Sequence, residues 1–300
     1  NAGDHTSHQD VTYTACTRAN SLRQIFNIEK VNVAYAYLEN DITLDDDLRI
    51  LGDSDQRGKT LYLCLNGHTL NLGQYFIWVG YMDCTLYLCD CSAQKTGTVS
   101  GGSKGCVSVD DAGNYNATFN MYGGTLRGGN RTGFGGGVEI VNGTMNMYGG
   151  TITENTATSD GGGIYVGTKG ALNLYGGTIT GNNGQKNKDR YGGGVYVEKN
   201  GTFNMYGGVI TGNSANYGGG VYVKSGTFTM NDSSKVTENA ASGNKSRNGN
   251  GGGVYVEGGK FEMNGEKTSV SGNTATNGGG VYVKGGTFEM NGPKTSVSGN

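Results

Sequence analysis

Three groups of residues in this chain recur at spacings that would let them act together. Glu262 and Glu289 occupy equivalent positions in successive segments, and paired carboxylates are what glycoside cleavage requires. Two such groups one strand apart would raise one of their pKa values. Earlier in the chain the same position holds Asn120, Asn146, Asn173 and Asn204, which favours a solvated pair over a catalytic one. Asp110, Asp111, Asp160, Asp189 and Arg190 fall between segments and never align, so no catalytic cluster is expected and the reading is non-enzymatic. The second group is Cys64 and Cys89, which close the identical runs Leu61-Tyr62-Leu63-Cys64 and Leu86-Tyr87-Leu88-Cys89. Strands about 4.8 Å apart would bring them within disulfide range, bridged or at least stacked. Cys89-Asp90-Cys91 by itself is a weak metal signal and no CxxC occurs, so neither metal nor cofactor is expected. The third group is Tyr165, Tyr196, Tyr222, Tyr255 and Tyr282, one per segment. An outward stripe of such amphipathic rings suits sugars or protein partners, and the same stacking would also stabilise parallel strands.

These residues must be positioned by a repeat. A glycine triplet begins at Gly135, Gly161, Gly192, Gly218, Gly251 and Gly278, at intervals of 26 to 33 residues. Periods of that size signal a solenoid. Each unit carries three short alternating runs, such as Val195-Tyr196-Val197, Phe203-Asn204-Met205 and Val209-Ile210-Thr211. Glycine pairs and asparagine turns separate them, and nothing follows a 3.6-residue period. The expected fold is all-β: a right-handed, single-stranded parallel β-helix with three short strands per coil and an N-terminal helical cap. Alternation sends Val195, Val197, Phe203, Met205 and Ile210 inward, onto Val221, Val223, Phe228, Met230 and Val236 of the next coil.

Three more outward columns follow. Asn155, Asn182, Asn213, Asn239, Asn273 and Asn300 each come just after a third strand, where their amides can bond from coil to coil. Glu198, Lys224, Glu257 and Lys284 alternate in sign and would disfavour register slips. Thr151, Thr178 and their neighbours resemble an ice-ordering array, but Val209 and Lys235 interrupt it, leaving an ice-binding role as a minor alternative.

Composition sets outer limits. The chain has 58 glycines, one proline and a formal charge of −2, so neither nucleic acid nor an anionic surface is implied as a partner. No apolar run approaches the roughly 18 residues of a spanning helix, so no membrane insertion is expected within this segment. Residues 1–33 read as an N-terminal segment with a possible strand at Val11–Thr14 and an amphipathic capping helix from Ser21 to Ile28, N-capped by Asn20 or Ser21. His5 and His8 belong to a polar terminus rather than a metal site, and Asp45-Asp46-Asp47 to a solvated turn. Residues 34–106 form irregular coils that hold five of the six cysteines, and all six lie before residue 107, as expected of stapling in an extracellular setting. Residues 107–300 form the regular coils, and a parent protein continuing past Asn300 is expected.

The segments Ile152–Asn155 with Gly161–Val166, and Val270–Asn273 with Gly278–Val283, carry a resemblance. They are similar to the repeats of right-handed β-helix surface proteins of gut Firmicutes, and more loosely to the FxxN and GGAI repeats of chlamydial polymorphic membrane proteins. Leu65-Asn66-Gly67-His68-Thr69-Leu70 and Asp90-Cys91-Ser92 resemble the first group as well. The resemblance implies a secreted or surface-attached adhesin or stalk whose repetitive faces bind host or bacterial glycan or protein. A β-helix polysaccharide lyase or hydrolase is the alternative.

Overall fold

The computed structural model describes residues 13–25, 32–52, 58–111, 116–184, 190–243 and 248–300. His5, His8, Phe26 to Ile28, Asp189 and the start of the Val11–Thr14 run lie outside those residues. The chain is an all-β solenoid in which every named strand pair is parallel and joins one coil to the next. Three long sheets run the length of the molecule, with 11, 9 and 10 strands. We call them the Phe face (as in Thr202–Met205), the Tyr face (as in Val195–Val197) and the Thr face (as in Val209–Thr211).

The register is one-to-one, as the repeat demands. Val195, Tyr196 and Val197 lie on Val221, Tyr222 and Val223, and Phe203 and Met205 lie on Phe228 and Met230. Valines of the Tyr face, phenylalanines and methionines of the Phe face, and isoleucines and valines of the Thr face fill the lumen, buried from Val138 to Val270 and exposed only in the last coil, as at Val283, Met290 and Val297. The phenyl rings of Phe203, Phe228 and Phe261 stack at centroid distances of 4.6 and 4.8 Å. Full burial of such a side chain contributes about 1.5–3 kcal/mol.

The coil is more elaborate than three strands. A fourth strand of two residues, such as Thr156–Ala157 or Ser214–Ala215, forms a six-stranded sheet after the Thr face. It carries the chain around the asparagine column, and its apolar signal is too short to stand out in the sequence. The solenoid also begins earlier than residue 34, because Thr14–Cys16 already pairs with Val33–Leu38. Among the described residues a one-turn helix spans Ala19–Arg23, starting two residues before the expected Ser21. Ser21 is not its N-cap: it lies inside the turn, with Oγ donating to the Arg18 carbonyl at 2.7 Å. Among the described residues no helix is long and apolar enough to cross a membrane.

The asparagine column supplies the corner. Asn155, Asn182, Asn213, Asn239 and Asn273 are all fully buried. Each Nδ2 donates to the Oδ1 of the next coil, at 3.0, 3.0, 3.0, 3.0 and 2.9 Å, ending on Asn300. The last glycine of each triplet leaves room for it. A Cβ at Gly194 would lie 2.7 Å from the Gly220 carbonyl oxygen and 3.1 Å from Asn213 Nδ2.

Candidate functional site

The outward column of the Tyr face runs Arg49, Trp78, Ser108, Glu139, Tyr165, Tyr196, Tyr222, Tyr255, Tyr282. The five tyrosines stack at centroid distances of 5.4, 5.2, 4.9 and 5.2 Å, as expected. They do not form an open stripe, however. Tyr196, Tyr222 and Tyr255 are only 3, 2 and 5% exposed.

The cover comes from the residue that precedes each glycine triplet. In successive coils it is Phe134, Asp160, Tyr191, Tyr217, Asn250 and Asn277, and the last four are bridged to one another. Phe134 lies 4.7 Å from Tyr165, Tyr191 lies 4.8 Å from Tyr222, and Tyr217 meets Tyr255 edge-on at 5.7 Å. This second aromatic row escapes a reading of strands alone because it sits in the connection before the triplet. Its position relative to the glycines was the available signal.

A cleft of 270 Å³ lies beside the column where the cover changes from tyrosine to asparagine. It is lined by Tyr191, Tyr217, Tyr222, Tyr255 and Tyr282 together with Asn250, Glu257 and Lys284. Glu257 accepts the Tyr222 hydroxyl at 2.7 Å and Lys284 Nζ at 3.1 Å. Burial works against its charge, but the Tyr222 and Lys284 donors outweigh it and hold the carboxyl below its usual range. Burial, then Glu257, pushes the Tyr255 phenol up to about 12. The alternating column is paired as expected, with Lys224 on Glu198 at 3.2 Å and Lys284 on Glu257 at 3.1 Å. Flat aromatic walls with a few fixed polar groups form a surface suited to a sugar ring.

A second aromatic ladder lies on the Phe face, just past its strands. Tyr122, Tyr148, Tyr175 and Tyr206 stack at 4.7, 4.9 and 5.0 Å, and the last three are 42, 42 and 38% exposed. It continues through Tyr87, Tyr62 and Tyr35, which stack at 4.3 and 4.7 Å. Tyr122, Tyr148 and Tyr206 recur in a Met-Tyr-Gly-Gly motif and Tyr175 in Leu-Tyr-Gly-Gly, a signal as regular as the one followed on the Tyr face.

Glu262 and Glu289 do stack in register, but Lys260 binds both, at 2.8 and 3.4 Å. Asp45 and Asp46 pair with Arg23, and Asp47 with Arg49 and Lys104. That turn is tied down by cations rather than merely solvated. The hydroxyl column of the Thr face reads Thr151, Thr178, Val209, Lys235, Ser269, Ser296, broken where the sequence implies.

Cys64 and Cys89 stack in register, but none of the six cysteines is in a disulfide. A third thiol joins them, since the Sγ atoms of Cys64, Cys89 and Cys91 all lie within 4.8 Å of one another. Cys64 accepts hydrogen bonds from the two neighbouring thiols and from the Cys91 backbone N–H, which lowers its thiol well below the ordinary range against the effect of burial. The stapling expected of these cysteines is therefore absent.

No family model, no curated protein and no solved structure matches this chain, so its class rests on the register of its own coils: it is a parallel β-solenoid.

Proposed function

We propose that this chain is an extracellular, secreted or surface-attached adhesive solenoid that binds glycan through its tyrosine-lined cleft, without catalysis. The observation that carries the proposal is the cleft beside the Tyr column, where five tyrosine rings meet Asn250, Glu257 and Lys284. Apolar ring faces beside fixed hydrogen-bonding groups match the two-sided character of a pyranose. The exposed Tyr148–Tyr206 ladder offers a further repetitive surface for the same ligand class or for a protein. Resemblance to β-helix surface proteins of gut Firmicutes, and more loosely to chlamydial polymorphic membrane proteins, supports the surface location. Cysteine pairing lends it no support.

A glycan array with the purified chain tests this reading, with Tyr282→Ser and Lys284→Ala as variants at the cleft rim. Expected is binding to a defined glycan set that falls at least about tenfold in both variants, or about 1.4 kcal/mol, while thermal unfolding stays in place. Unchanged binding in both would remove the cleft from consideration. Depolymerisation of pectin, mucin or alginate that vanishes in Glu262→Gln would replace the adhesin with an enzyme.

A further inference from the structure

We infer that Cys64, Cys89 and Cys91 form a binding site for a thiophilic d10 metal ion, of the zinc or copper(I) class. The site lies away from the tyrosine cleft and does not depend on the adhesive reading. Its three sulfurs are mutually within 4.8 Å, and Cys89 Sγ is 3.6 Å from Cys91 Sγ. Zinc–sulfur bonds of about 2.3 Å at tetrahedral angles separate the sulfurs by about 3.8 Å. A metal ion would therefore draw the cluster in by no more than about 1 Å.

The fold builds this arrangement from two directions. Parallel register sets Cys64 beside Cys89 at the ends of neighbouring strands. A knotted turn then returns Cys91 to the same spot. The Asp90 carboxylate ties that turn, accepting the backbone N–H groups of Gly67 at 2.8 Å, Ser92 at 3.1 Å and Gly97 at 2.6 Å, and the Ser92 hydroxyl at 3.1 Å. With its oxygens so engaged, Asp90 is a positioning residue and the donor set is sulfur alone. All-sulfur donors select soft ions over calcium or magnesium.

The Cys91 backbone N–H points at Cys64 Sγ from 3.2 Å, a contact that also suits a metal-bound thiolate. Lys95 Nζ sits on the Asp90 carbonyl at 2.9 Å and places a positive charge beside the cluster, offsetting the excess negative charge of three thiolates. Tyr13, Tyr37, Cys64 and Asn66 line a 310 Å³ cavity that gives an ion a way in. On binding, S–H bonds break, sulfur–metal bonds form, and the thiol protons go to water. No electron is transferred. Three sulfurs complete a trigonal copper(I) site, whereas zinc would take a fourth ligand such as water.

The test is a titration of the reduced 300-residue chain with Cd²⁺ under nitrogen, followed by sulfur-to-metal charge-transfer absorption. Expected is saturation at one ion per chain with the intensity of three thiolates. Cys91→Ser, which leaves both strands intact, should weaken binding more than about tenfold, the scale on which even outer-shell changes act. Cys84→Ser, a buried thiol outside the cluster, should leave binding unchanged. Displacement of Cd²⁺ by Zn²⁺ assigns the ion to the zinc class, and displacement by Cu⁺ alone assigns it to the copper class. Displacement by neither overturns the inference. So does the absence of a band at one equivalent, equal binding by Cys91→Ser, or a disulfide among these three cysteines in chain isolated without reductant.

Discussion

Asn239 Oδ1 accepts two hydrogen bonds from Asn213, one from its backbone N–H at 3.0 Å and one from its side-chain amide at 3.0 Å. The same Asn213 amide donates to the Ile179 carbonyl at 2.9 Å, so one side chain joins three coils. No solvent reaches any of it.

Replacing Asn213 by alanine would therefore orphan several buried groups together. Asn182 would lose the acceptor for both its backbone and side-chain N–H, and the Ile179 carbonyl would lose its donor. Each unsatisfied buried group costs about 1–3 kcal/mol. We expect Asn213→Ala to destabilise the chain by about 3 kcal/mol or more, read as a lower urea midpoint, and Asn204→Ala in the partly exposed column of the Phe face to cost far less. Equal losses at the two sites would refute the distinction.

Phe228 lies between Phe203 and Phe261 with no exposure. Because rigid parallel strands hold the walls apart, a cavity there cannot collapse. Phe228→Ala should cost about 3–5 kcal/mol, and Phe228→Leu markedly less. Urea unfolding of both variants checks this, and a cost below about 1 kcal/mol for alanine would mean the coils can close up.

Burial and, for Tyr222, the bond to Glu257 push the phenols of Tyr196 and Tyr222 far above the ordinary tyrosine range. In a spectrophotometric alkaline titration these two should ionise only as the chain unfolds. The Tyr196→Phe, Tyr222→Phe double variant should then lose amplitude from the phase that coincides with loss of circular dichroism. Amplitude lost from the earlier phase instead would show that the column is open to solvent.

Burial raises the half-buried carboxyl of Asp160 to about 6, against the opposing pull of Arg190 and Lys224. The folded chain thus holds this proton more tightly than the unfolded chain, where the carboxyl titrates near 3.8. Its contribution to stability is complete below pH 3.8 and fades as pH rises through about 6. Asp160→Asn keeps a neutral side chain at all pH values, so its thermal midpoint should fall less between pH 4 and 7 than that of the parent chain. An identical slope would assign the pH dependence to other groups.

Most of the lumen was legible in the sequence, because inward residues of a solenoid repeat once per coil and the matches at Val195, Phe203 and Ile210 left one register open. The asparagine column was legible for the same reason. Exposure was not. Whether Tyr222 meets solvent depends on Tyr191, which sits in a connection of variable length where no period guides the eye. The three-thiol cluster was hidden as well. Register brought Cys64 to Cys89, but Cys91 joins them only because the Asp90 turn bends the chain back, and turn geometry has no periodic signature. The start of the helix was misplaced because Arg18, not Asn20 or Ser21, is the N-cap, and an arginine there gives no capping signal.

The outward column of the Phe face runs Tyr37, Cys64, Cys89, then Tyr122 to Tyr206, then Asn231, Asn264 and Asn291. Inside, one regular coil is nearly interchangeable with the next, so a strand seeking its neighbour finds several almost equally good berths. The changing outer residues act as an address, and the uneven early coils give winding a fixed place to start. A chain that skipped one coil would leave the cysteine, tyrosine or asparagine run one residue short, and the fault would show on its surface before it showed in its core.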